Sequence, residues 1–238
     1  MTRKNLLRRA LNRWREEGSK DFLQSAMKYI RIKLSFFTSQ HRRRVVRAKR
    51  NRERIHYSHS INKESIILDV GAYKGDWTAG LIAKSEPDKV HLFEPIPNHI
   101  DLLEDRFGNV ENINIQEYGV GGSTHTTEMA ELDNSSSIYS ESKETVTVKF
   151  KSATEVLEEL TRDVDVMKIN VEGSEYEIMF ELIRSGMVKK VGTFIIQFHR
   201  NVPEYDVKRK EIHNELNNTH SLDINYPYVW EVWKRKER

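Results

Sequence analysis

Residues 65–84 constrain the fold more than any other stretch. Ser65, Ile66, Ile67, Leu68, Asp69 and Val70 make an apolar run of strand length that carries one acid. Gly71-Ala72-Tyr73-Lys74-Gly75 follows as a glycine-bearing turn, and residues 76–84 read as a helix. A buried strand handed to a helix through such a turn is the opening unit of a parallel α/β sheet. Glycine at 71 and 75 admits positive φ and close approach, and the helix start offers free N–H groups and a positive dipole end, so the turn is suited to cradle a cofactor. The spacing Asp69-x-Gly-x-x-x-Gly is neither the dinucleotide G-x-G-x-x-G nor a phosphate-binding loop with Gly-Lys-Ser/Thr, which argues against NAD and ATP.

Short apolar runs alternate with helical stretches through the rest of the body. The second strand, Lys89-Val90-His91-Leu92-Phe93, ends in Glu94, placed to accept hydrogen bonds from both hydroxyls of a ribose. Pro95 and Pro97 close that strand, and Pro97 opens a helix to Phe107. A later strand, residues 165–171, is apolar except for Lys168 and Asn170 and runs into Glu172. Polar groups in a buried strand are costly unless paired, which marks a site or a polar network. The next strand, Phe194-Ile195-Ile196-Gln197-Phe198-His199, ends on a histidine. Ser152-Ala153-Thr154-Glu155 is a capping box, and residues 226–233 alternate as a final antiparallel strand would.

Charge divides the chain in two. Residues 1–60 hold 18 Lys and Arg against 4 acids, a net of +14, whereas the remainder carries −11. The expected organisation is a basic helical arm, residues 1–60, before a Rossmann-like domain, residues 61–238. Within the arm, Phe22, Leu23, Ala26, Met27, Ile30, Leu34 and Phe37 recur at helical spacing among cations. That stripe suits packing on the body, an anionic membrane surface touched through residues 1–54, or nucleic-acid phosphates. No apolar run approaches the roughly 20 residues of a membrane span, no secretory signal is apparent, and a cytoplasmic setting is expected. The chain has no cysteine, so any metal would need His and carboxylate ligands.

Four stretches together resemble the FkbM-type methyltransferases: residues 68–75, residues 93–98, the serine cluster after Asn134, and Met167-Lys168-Ile169-Asn170-Val171-Glu172-Gly173-Ser174-Glu175. The resemblance implies a class I methyltransferase fold, a mostly parallel seven-stranded sheet with helices on both faces. It implies S-adenosylmethionine as cofactor, with Asp69, Gly71 and Gly75 around the methionine end, Glu94 at the ribose, Gly119, at the end of the third strand, near the adenine, and Ala72 and Pro95 also in the cofactor site. It implies methylation of a hydroxyl on a glycan or related small molecule. The family usually has aspartate where this chain has Asn170, which offers neither a base nor a charged metal ligand, so no metal is assigned.

For chemistry at the acceptor, His199 and Glu172 are the candidate bases, and histidine is favoured because it ordinarily titrates near neutrality. Lys168 is expected to orient the acceptor or pair with Glu172. Ser135, Ser136 and Ser137 are candidates to face the acceptor. Two rival readings are an RNA methyltransferase that uses the basic arm and a membrane-tethered module that binds the cofactor without turnover.

Overall fold

The structure, a computed structural model, describes residues 39–130 and 145–237. The amphipathic stripe of residues 22–37 and Ser135, Ser136 and Ser137 lie outside the described residues. The chain divides into two compact units, residues 1–46 and 47–238. Helix α1, Ser39–Arg50, crosses that boundary and carries six Lys or Arg with no acid. Helix α2, Arg52–His56, belongs to the second unit. Its Ile55 is fully buried and its His56 ring meets Trp230 edge-on at 4.6 Å.

Ten strands follow: β1 Ile66–Val70, β2 Lys89–Phe93, β3 Ile113–Gln116, β4 Gly119–Gly121, β5 His125–Ala130, β6 Thr145–Ser152, β7 Val164–Ile169, β8 Val191–Ile196, β9 His220–Tyr226 and β10 Trp230–Arg235. Between them run α3 Asp76–Ile82, α4 Pro97–Phe107, α5 Ala153–Glu158, α6 Glu175–Arg184 and α7 Tyr205–Leu216. Seven strands form one sheet in the order β3-β2-β1-β7-β8-β10-β9, parallel except for β10, which runs antiparallel to both neighbours. This is the seven-stranded, mostly parallel architecture expected. Strands β4, β6 and β5 make a separate small sheet.

Alternation along the strands fixes which residues meet which helices. Ile66, Leu68 and Val70 of β1, with Met167 and Ile169 of β7, join one core with residues of α5, α6 and α7. Fully burying each such aliphatic stabilises the fold by roughly 1.5–3 kcal/mol. Asp69 and Lys168 have the opposite parity and therefore face the α3 side. The chain steps outward from β1 to β3, then returns to lay β7 beside β1. The crevice at the carboxyl ends of β1 and β7 is thus the topological switch point, where open α/β sheets bind ligands.

Two local readings change. Residues 226–233 are not one strand: β9 ends at Tyr226, a turn with Tyr228 at φ 61° follows, and β10 begins at Trp230. Gly119 does not end the third strand but starts β4 in the small sheet. The capping box forms as expected, Ser152 Oγ accepting from the Glu155 N–H at 3.2 Å.

Candidate active site

The β1–α3 turn is held from beneath by a buried polar cluster. Asp69 and Lys168 are opposite residues on neighbouring parallel strands. Lys168 Nζ donates to Asp69 Oδ1 at 2.8 Å and to the Gly71 carbonyl at 2.7 Å. Thr78 of α3 donates to the other Asp69 oxygen at 2.7 Å. Asp69 is fully buried, and its charge is met by a cation and a hydroxyl. The expectation that Lys168 pairs with Glu172 or orients the acceptor is corrected here. Strand register points it at Asp69, and its ammonium is spent on that carboxylate and the turn.

Gly71 and Gly75 both have positive φ, 79° and 74°. The space a side chain would need is filled by the protein itself: a Cβ on Gly71 would lie 2.2 Å from the Asn170 carbonyl oxygen, and one on Gly75 would lie 2.3 Å from the Phe107 ring. Both glycines therefore serve turn conformation and close packing.

Glu94 follows β2 and ties its loop to the turn. Its Oε2 accepts from the Tyr73 N–H at 2.9 Å, and its Oε1 accepts from the Ile96 N–H at 3.1 Å, with His99 Nδ1 at 3.3 Å. A carboxylate has about four acceptor positions, so capacity remains on Oε2. Among the described residues, the buried atoms without a hydrogen-bond partner include Asn170 Oδ1, just after β7, and Trp77 Nε1, in the first turn of α3. Buried polar atoms are rarely left unpaired.

A second cluster lies at the carboxyl ends of β7 and β8. The His199 N–H donates to Glu175 Oε1 at 2.6 Å, and His199 Nδ1 is 3.2 Å from the same oxygen. His199 Nε2 is 3.4 Å from Glu172 Oε1. The Glu175 side chain is 0% exposed and that of Glu172 is 39% exposed, so one carboxylate is sealed and the other open. Glu172 has φ 52°, a left-handed conformation that costs a non-glycine residue about 1–3 kcal/mol. The other non-glycine residues with positive φ among the described residues are Tyr73, Glu204 and Tyr228, in loops at this same edge of the sheet. Strain of this kind gathers at functional sites.

Burial alone would lower the His199 pKa, but hydrogen bonds with Glu172 and Glu175 outweigh it and raise it to about 10. The bond to His199 in turn holds Glu172 below the usual carboxylate range, against the upward push of burial. At neutral pH the pair is therefore imidazolium and carboxylate. An imidazolium has no lone pair for a proton, which favours Glu172 over His199 as the base. Glu172 is the group of the pair able to accept one.

Residues 69–221 match the model of the methyltransferase FkbM domain, and this region covers the whole of both clusters. The chain belongs to the FkbM methyltransferase family. The matched region is an S-adenosylmethionine-dependent methyltransferase domain. Among solved structures, the methyltransferase FkbM from Methylobacillus flagellatus KT aligns with TM-score 0.51 and 17% identity over 73% of this chain and 44% of its own. The chain thus spans less than half the length of that protein. An rRNA methylase from Streptococcus thermophilus aligns with TM-score 0.46 and 13% identity, over 74% of this chain and 90% of that one. TrmK from M. capricolum, in complex with S-adenosyl-homocysteine, aligns with TM-score 0.45 and 12% identity, over 75% and 65%. No protein of curated function matches the sequence.

In this FkbM methyltransferase the structure brings Asp69, Gly71, Ala72, Gly75, Glu94 and Lys168 together around one turn, with Ala72 and Gly71 N–H groups both bonded to the Phe93 carbonyl. Pro95 directly follows Glu94 at the end of β2. Gly119 is buried against the Phe150 ring, where a Cβ would lie at 2.4 Å. Two residues of this second cluster carried no assigned role in the sequence. Asn201 donates from Nδ2 to the Glu172 carbonyl at 2.7 Å, and Glu175 looks in sequence like any acid in a first helical turn. Among the described residues no helix is long and apolar enough to cross a membrane.

Proposed function

We propose that this methyltransferase methylates a hydroxyl oxygen of a glycan or related small molecule, with Glu172 as the base. The observation that carries this reading is the open Glu172 carboxylate, held by a charged His199 at the carboxyl edge of β7, beside the switch point. The residues at the switch point fit the cofactor. Asn170 Oδ1 is an unused acceptor suited to an ammonium, Trp77 Nε1 an unused donor suited to a carboxylate, and Glu94 Oε2 an acceptor suited to a ribose hydroxyl. When bound, S-adenosylmethionine supplies an electrophilic methyl group on a sulfonium.

The protein's own task is to align, shield and deprotonate. Lys168 and Asp69 are positioning residues, because they fix the Gly71 carbonyl and with it the turn that Gly71, Ala72 and Gly75 form. Glu172 accepts the hydroxyl proton of the acceptor at its carboxylate. His199 holds that carboxylate in place and stabilises its charge until the proton arrives.

Labelled methyl groups test the reading. The full chain is incubated with methyl-labelled S-adenosylmethionine and with separate lipid-linked glycan, free glycan, small-molecule and RNA fractions. Label that enters a glycan or small-molecule fraction and survives mild alkali, as an ether does, supports it. Label found only in RNA, or only as alkali-labile ester, contradicts it. The basic arm suits acceptors presented at an anionic cytoplasmic surface, since α1 places six cations with no acid in twelve residues. Co-sedimentation of the full chain with anionic but not neutral vesicles is the expected outcome.

A further inference from the structure

We infer that Glu175 is the positioning residue of the acceptor side, one sealed carboxylate that sets the geometry of both Glu172 and His199. The inference rests on the reading of Glu172 as base, and it adds a residue that neither motif nor mechanism has so far used.

An acid at the start of a helix ordinarily serves the helix's own free N–H groups. Glu175, the first residue of α6, turns both oxygens elsewhere. Its Oε2 accepts from the Gly173 N–H at 2.8 Å. Gly173 has φ 127° and directly follows Glu172 at φ 52°, so this bond pins the strained backbone that presents the Glu172 carboxylate. Its Oε1 accepts from the His199 N–H and lies 3.2 Å from His199 Nδ1. With Nδ1 engaged there, Nε2 is left to face Glu172. Two loops from different strands are thus clasped by one side chain that is 0% exposed.

The charged and titratable groups around the imidazole come from each neighbouring element. Glu172 approaches from the β7–α6 loop and Glu175 from α6. Tyr176, also on α6, donates its hydroxyl to the His199 carbonyl at 2.7 Å. Arg200, next along the chain, carries its guanidinium 4.2 Å from the centre of the Tyr228 ring in the β9–β10 turn. Among the described residues the two glutamates alone bond the ring, and of the two it is Glu175 that is shut away from water. Removing its charge takes away one of the two carboxylates that keep His199 cationic.

Glu175→Gln keeps the shape and removes the charge. An NMR titration of the histidine ring protons, with His199 assigned by its loss in His199→Gln, reads the effect without reference to turnover. In the unaltered protein the His199 signal is expected to stay constant from about pH 5.5 to 8.5, and in Glu175→Gln to titrate within that window. Methyl transfer by Glu175→Gln is expected to fall about tenfold or more as pH rises through that window, with KM for S-adenosylmethionine changed less than about twofold. Glu175→Asp, which retains the charge, is expected to keep His199 from titrating there. A His199 titration and pH–rate profile in Glu175→Gln that match the unaltered protein overturn the inference. Should Glu175→Gln not fold, a His199 that titrates near its ordinary value in the unaltered protein, or in Glu175→Asp, overturns it equally. Full turnover in Glu172→Gln would remove the base reading and leave the titration result standing as a separate outcome.

Discussion

Two carboxylate–cation pairs sit at the carboxyl edge of the sheet, and they are built to opposite ends. Asp69 and Lys168 are sealed, with side chains 0% and 5% exposed, and every charged atom is given to another part of the protein. Glu172 and His199 lie one strand further on, and there the carboxylate is 39% exposed on a strained backbone. A buried pair with all its bonds satisfied fixes a shape; a half-open pair keeps a reactive group available to a second molecule. The difference supports the proposed division, in which the first pair holds the β1–α3 turn and the second is free for chemistry at the acceptor.

The largest expected effect breaks the closed pair. Lys168→Ala strands the Asp69 charge in the core and is expected to lower unfolding free energy by about 3–5 kcal/mol, measured by urea denaturation. Glu172→Gln, on the open pair, is expected to lose less than Lys168→Ala in the same assay, because its carboxylate is 39% exposed to water. Equal losses in the two variants would erase the contrast.

A smaller effect sharpens the cofactor side. Glu94→Gln removes a charged acceptor that binds the Tyr73 and Ile96 N–H groups. Its cofactor affinity by calorimetry is expected to weaken by about 1.5–3 kcal/mol, as for other hydrogen bonds to charged groups. Turnover at saturating cofactor is expected to hold. Unchanged affinity would remove Glu94 from the cofactor site.

The last effect is a slope. Because the folded-state pKa of His199 is raised from 6.5 to about 10, the stability it contributes is fully present below 6.5 and is lost as pH rises toward 10. His199→Gln is expected to flatten that part of the stability–pH curve. A curve of unchanged slope would show that the two glutamates do not hold the proton.

Much of the closed pair was legible in the sequence, and its partnership was not. Asp69 and Lys168 both stood out as polar residues in apolar strands, which marks a network. That they meet each other depends on β7 returning beside β1, a long-range fact of strand order. Glu94 was legible as an acid at the end of a short strand, whereas its bonds to the Tyr73 and Ile96 N–H groups were not. His199 was placed by its strand, and the carboxylates that surround it were not legible. Its ordinary pKa describes the free side chain, and two carboxylates from another loop and helix reset it. Glu175 was part of the recognised motif without a role, since an acid at a helix start has a local explanation already. The β9–β10 turn was the one element with a neglected signal: Pro227 inside an alternating run argues against a continuous strand.

The central claim is that the open pair does chemistry the closed pair supports but does not share. Glu172→Gln separates the two when calorimetric affinity for S-adenosylmethionine and single-turnover methyl transfer are measured on the same preparation. The account predicts affinity within about twofold of the unaltered protein and methyl transfer slowed by about 10²–10⁴, the range for loss of a general base. Methyl transfer at the unaltered rate, or a loss of rate that only follows a loss of cofactor affinity, would contradict it.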